Sequence, residues 1–141
     1  MFAVLILWVH LSAAVAWIGG MLFSRLVLNP VLNAGGIPQK DDLVARIEAR
    51  FRSLRWAGLI TLVGTGAYNL IHEGGSARLE SAWGGILLIK LLFVAIAIGL
   101  TGINDYLLHG PPSDHIKDGL NGLILLLGLL IVLIAVYLGQ F

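Results

Sequence analysis

Four apolar stretches, residues 2–24, 56–71, 82–103 and 120–139, take up most of the 141-residue chain. Each is about 16–23 residues long, against the roughly 17–25 that an α-helix needs to cross the hydrocarbon of a bilayer. Only 12% of the residues are charged, about half the ~25% of a soluble domain, and too few to solvate the surface of so small a protein. A soluble enzyme, a nucleic-acid-binding protein and a disordered chain are excluded on that ground. The pattern predicts an all-α, multi-pass membrane protein, with residues 1–141 forming a single four-span transmembrane domain in contact with the lipid bilayer.

Other totals narrow the chemistry. Nine basic and eight acidic residues leave a formal net charge of +1, so nothing points to a polyanionic partner such as nucleic acid. With no cysteine, disulfides, iron–sulfur clusters and thiolate metal sites are impossible. The N-terminal stretch has the hydrophobicity of a signal peptide but neither a basic n-region nor a convincing cleavage site, and reads as a retained first span. No repeat, linker or second domain is visible.

The basic residues orient the chain. Arg25, Lys40, Arg46, Arg50, Arg52 and Arg55 lie at or between the ends of the first two spans, whereas the second connection holds only Arg78 and the third only Lys117. The positive-inside rule then puts the first and third connections in the cytoplasm, with both termini and the loop 73–81 on the opposite side. The architecture expected is an antiparallel four-helix bundle with both termini extracytoplasmic.

Two prolines and a glycine pair in NPVLNAGGIPQK are expected to stop the first helix, and Asp41 or Asp42 to cap the next. Leu43, Ile47, Phe51 and Leu54 then recur at helical spacing, with Arg46, Arg50 and Arg52 on other faces, an amphipathic entry whose arginines reach lipid phosphate. A helix over residues 43–71 would cover about 43 Å, so it must bend or protrude. HGPPSDHIKDG reads as a short turn.

Lipid supplies no hydrophobic drive between helices, so small and polar residues mark the helix-facing sides. His10, Ala13, Ala14, Trp17, Met21 and Ser24 share a face of the first span. Gly58, Thr61, Thr65, Asn69 and His72 share one of the second, and Lys90, Val94, Ala97, Thr101 and Asn104 one of the third. The fourth offers Asn121, Gly128 and Ala135 and is otherwise lipid-like. With this topology His10 lies about 12 Å and Lys90 about 10 Å below the outer end of their helices, with Asn69 one turn deeper than His72. His109 and His115 belong to the opposite side. A charged lysine in mid-helix costs at least ~2.5–3.5 kcal/mol. Lys90 would have to climb nearly two turns to reach headgroups, and no acid shares its depth. An amine that ligates or contacts substrate fits better than snorkelling or pairing. His10 read alone is as well explained by helix packing; its depth in common with Lys90 tips it towards function. Trp8, Trp17, Trp56 and Trp83 read as interface anchors or packing residues, and His72 as an interfacial histidine.

The run HLSAAVAWIGGMLFSRLVLNP resembles the first helix of copper resistance protein D (CopD) domains. LVGTGAYNL and WGGILLIKLLFVAIAIGLTGIND are similar to that family's next two helices, in the same order and spacing. The resemblance covers roughly residues 9–105. A histidine in the first helix and a lysine in the third is also the arrangement of HemJ-type proteins, in which they are implicated in binding b-type haem. This resemblance implies His10 and Lys90 as haem or metal ligands, with a bacterial cytoplasmic membrane as the location. Arg25 is followed by LVLNP, the CopD form, and the third helix lacks the further histidine of a HemJ-type enzyme.

Three functions follow as expectations. The first is a small haem b protein engaged in electron transfer or membrane oxidoreductase chemistry, with His10 and Lys90 as axial ligands. Tyr68, Asn69 and His72 would contact the propionates or the ligands, and a quinone or a periplasmic redox protein would be the partner. The second is copper binding, transport or resistance through His10, His72 and Met21, alongside a periplasmic copper protein. The third is an assembly subunit or homodimer built on small-residue pairs such as Ala16/Gly20 and Ala95/Gly99.

Overall fold

Residues 1–72, 80–107 and 114–140 are described in the computed structural model, and they are helical almost throughout, with no strand among them. Helix α1 (Phe2–Phe23) passes through a π-helical turn (Ser24–Leu28) into α2 (Asn29–Asn33). Helix α3 (Lys40–His72) follows, then α4 (Ala82–Gly102) with a second π-helical turn (Ile103–Leu107), and α5 (Asp114–Leu138). The chain forms two compact units, Met1–Asn69 and Leu70–Phe141.

Among the described residues, three helical segments are long and apolar enough to cross a membrane: Phe2–Asn33, Ala82–Tyr106 and Ile116–Leu138. The second expected span, 56–71, falls inside α3 and does not join them. Arginines run up to Arg55 on its N-terminal side, and Thr61, Thr65 and Asn69 dilute the remainder.

In the first unit, the Asn29–Pro30 step does not stop the helix as expected. The N–H of Asn29 bonds to the carbonyl of Ser24, a five-residue step that widens the turn just before the proline. Pro30 therefore falls in the first turn of α2, where its missing N–H and bulky ring are tolerated. The stop comes later. Ala34 closes the last turn on Pro30, and Gly35 and Gly36 adopt φ of +88° and +80°, values that glycine reaches without steric cost. Asp41 and Asp42 occupy the first turn of α3, where carboxylates complement the helix dipole. Asp42 also pairs with Arg46 at 2.9 Å on the exposed face.

Helices α1 and α3 pack antiparallel in a register fixed by small residues. Ring contact joins Phe2 to Tyr68, a hydrogen bond joins His10 to Thr65, and the Trp17 indole lies on Gly58. A Cβ built at Gly20 would sit 3.5 Å from the Phe51 ring. Glycine lets two backbones approach where dispersion and polar contacts, not water exclusion, hold helices together.

In the second unit α4 packs on α5. Leu87, Ala97 and Thr101 of α4 and Ile124, Leu125 and Leu127 of α5 are buried, with Thr101 and Ile124 fully so. The α5 face is thus more than the lipid-like surface its sequence suggests, because aliphatic side chains fill the space beside the small residues of α4. Leu88, Ile89, Leu92, Leu126 and Leu133 point outward, as side chains in lipid do. The turn expected at HGPPSDHIKDG is already helical from Asp114. Residues 108–113, and with them His109, lie outside the described residues, as do residues 73–79 and the side chain of His115.

Candidate functional site

His10 sits on the half-buried face of α1, nine residues into the helix. Its Nδ1 lies 2.7 Å from Oγ1 of Thr65 on α3. The same Oγ1 lies 2.6 Å from the carbonyl oxygen of Thr61, one turn earlier. A hydroxyl has one proton to give. Were it given to Nδ1, two oxygen lone pairs would face each other at 2.6 Å. Both contacts are hydrogen bonds only if Thr65 donates to Thr61 and accepts from Nδ1–H. In the neutral imidazole the lone pair is then on Nε2. Fixing one ring nitrogen through a hydrogen bond so that the other ligates is the usual arrangement of metal-bound histidine.

Gly66, the next residue, gives the ring its place. A Cβ there would come within 3.3 Å of His10 Cε1 and 3.9 Å of Nδ1, so even a methyl group makes the imidazole give way by a few tenths of an ångström. Thr65 and Gly66 therefore act together, one setting the tautomer and the other the ring position. Thr65 stands on the polar face expected of its span, but its pairing with His10 needed the antiparallel register, and no local signal in GTGAY gives that.

The other expected site residues are placed as follows. Tyr68 lies one turn beyond Thr65 and packs its ring edge-to-face with Phe2, with centroids 5.8 Å apart. Asn69, four residues after Thr65 and hence on the same side of α3, is half-buried, whereas His72 at the helix end is exposed. Met21 is half-buried three turns along α1 from His10. Lys90 belongs to the second unit and is half-buried on α4, on the side that carries Leu87, Ala97 and Thr101.

An internal correspondence links His10 and Lys90. Each is the ninth residue of its helix, and each helix ends in a five-residue π-helical turn. Residues 11–20 and 91–100 have the same succession of buried, half-buried and exposed positions, with Trp17 and Ala97 as the buried member. The repeat is one of backbone and burial; the two sequences share little, which is why no repeat is visible in them.

Among the described residues no three His, Cys, Asp or Glu side chains are grouped to hold an ion.

The fold and the site define a multi-pass, all-helical membrane protein with a tautomer-fixed histidine on its first helix. Comparison of the chain with models of known families, with characterised proteins and with solved structures gives no match.

Proposed function

We propose that this protein is a four-span antiparallel bundle with both termini extracytoplasmic that binds haem b and takes part in electron transfer in the membrane. The observation that carries this reading is the His10–Thr65–Thr61 hydrogen-bond chain, which makes Nδ1 the protonated nitrogen of the ring, as is usual for histidines that ligate through Nε2. Lys90 is the candidate for the second axial position, supported by its equivalence to His10 in the internal correspondence.

The donor set fits the group. Imidazole and amine are both nitrogen ligands for haem iron. His10 and Lys90 would hold it, with Asn69 and Tyr68 placed to meet polar substituents. When bound, the iron supplies one-electron chemistry. The protein's share is to fix the ring of His10 through Thr65, to keep α3 at its distance through Gly66, and to exclude water through the apolar faces around both.

The test is the spectrum of protein purified in detergent. A Soret band that shifts on dithionite reduction, and that His10→Ala or Lys90→Met abolishes, is the expected result. Protein that stays colourless after haem supplementation overturns the reading. If such protein instead takes up copper saturably, and His10→Ala removes that uptake, the site serves copper.

A further inference from the structure

The basic N-terminal half of α3 takes no part in the site at His10. Leu43, Arg46, Arg50 and Leu54 follow one another at steps of three and four residues, so they share one face of the helix. All four are exposed, Leu43 at 40% and Leu54 at 59%. The face therefore sets two guanidinium groups between two leucines. Asp42 pairs with Arg46 at 2.9 Å, but both side chains lie largely in the open, where such a pair is weak and a second anion can compete for the arginine. The residues three and four positions to either side of Arg50 are Arg46, Ile47, Ser53 and Leu54, none of them acidic.

The register of the first unit sets the level of this face. His10 meets Thr65 and Trp17 meets Gly58, so seven residues along α1 match seven back along α3. One further step brings Ser24 to about the level of Phe51, and Arg25 to that of Arg50. Asn69, nineteen residues beyond Arg50 on the same helix, is about 29 Å away at 1.5 Å per residue. That is close to the ~30 Å of hydrocarbon in a bilayer. A helix pair that crosses with Asn69 at one boundary has Arg25 and Arg50 at the other, among lipid headgroups. Guanidinium forks match phosphate oxygens in pairs. A zwitterionic lipid balances its phosphate with its own ammonium, whereas an anionic lipid does not, so a face with surplus positive charge favours the anionic one.

We propose that the face formed by Leu43, Arg46, Arg50 and Leu54 binds the headgroup of an anionic phospholipid, with the leucines against its acyl chains and Arg25 adding charge at the same level. The placement rests on α3 crossing the bilayer, as in the function proposed above. The experiment is spin-label electron paramagnetic resonance of the full chain reconstituted in phosphatidylcholine vesicles, with spin-labelled phosphatidylglycerol or spin-labelled phosphatidylcholine as the probe. Preferential immobilisation of phosphatidylglycerol is expected, by about fivefold for each guanidinium engaged. Arg46→Gln and Arg50→Gln should reduce it, and Arg52→Gln, which removes the same charge from the opposite side of the helix, should largely keep it. All three positions are exposed, so the variants keep the fold. Equal immobilisation of the two lipids overturns the proposal and leaves the face to a protein partner. Equal loss in all three variants overturns the site, because net charge alone then draws the lipid. Loss of the preference on adding inorganic phosphate at constant ionic strength overturns the lipid assignment in favour of a free anion. Topology is read separately by cysteine labelling and haem by the Soret band, so failure here is distinct from failure of the function proposed for His10.

Discussion

Thr65 accepts a hydrogen bond from Nδ1–H of His10 and donates its own to the carbonyl oxygen of Thr61, so a hydroxyl on α3 decides which nitrogen of the histidine carries the proton. Thr65→Val keeps the shape and removes the hydroxyl. Loss of such a supporting bond typically costs about 10–100-fold in affinity at a metal site. The ratio of Soret to protein absorbance, titrated with haem, is expected to show a weakening of that order in Thr65→Val and near-parental binding in Thr65→Ser. Equal affinity in Thr65→Val would show that the hydroxyl does not position the ligand.

Gly66 and Gly64 lie two residues apart on α3 and should respond in opposite ways. At Gly66 a methyl group meets the imidazole at 3.3 Å, while at Gly64 it meets nothing within 4 Å. Gly66→Ala is expected to move the ring by a few tenths of an ångström and alter the ligand field, and Gly66→Leu to expel the ring. Gly64→Ala should leave the spectrum alone and gain up to about 1 kcal/mol of helix propensity. Electron paramagnetic resonance of the oxidised protein with thermal unfolding of both variants separates the two effects.

Much of this arrangement is legible in the sequence, and the parts that are not have definite causes. The polar faces of the first and third spans are readable because small and polar side chains recur at helical spacing, and Trp17, Ala97, Thr101 and Asn104 are indeed buried. Helix ends are harder. Pro30 ordinarily signals a stop, but a widened turn before it absorbs both its missing donor and its ring, so the break moves to Gly35 and Gly36. The hydrogen-bonded pair Asn104–Asn121 escapes a reading made one helix at a time because its partners are 17 residues apart, one in the turn that ends α4 and the other on α5. The equivalence of His10 and Lys90 is invisible in residue identity, since helix packing in lipid constrains size and burial more than side-chain type.

The pair Asp42–Arg46 is short, at 2.9 Å, yet its side chains are 60% and 77% exposed. Exposed helix pairs four residues apart contribute about 0.3–0.5 kcal/mol and are screened by salt. Asp42→Asn is therefore expected to lower stability by no more than that, and by nothing measurable at high ionic strength. Thermal unfolding at two salt concentrations checks it. A loss several times larger would mean that Asp42 does more than pair with Arg46.

The route of α3 is the remaining test of architecture. Its N-terminal half carries Arg46, Arg50, Arg52 and Arg55, and its C-terminal half carries the threonines that hold His10. If that second half crosses the bilayer, a cysteine at Gly36 and a cysteine at Glu80 lie on opposite sides. If α3 lies along the surface, they lie on the same side. The absence of native cysteine makes single-cysteine labelling clean. An impermeant maleimide applied to intact cells is expected to label Glu80→Cys and Gln140→Cys and to spare Gly36→Cys. In a three-span chain with the same first crossing, Glu80→Cys and Gln140→Cys would both be protected. That result would remove the outer-half depth of Lys90 and, with it, the case for pairing Lys90 with His10.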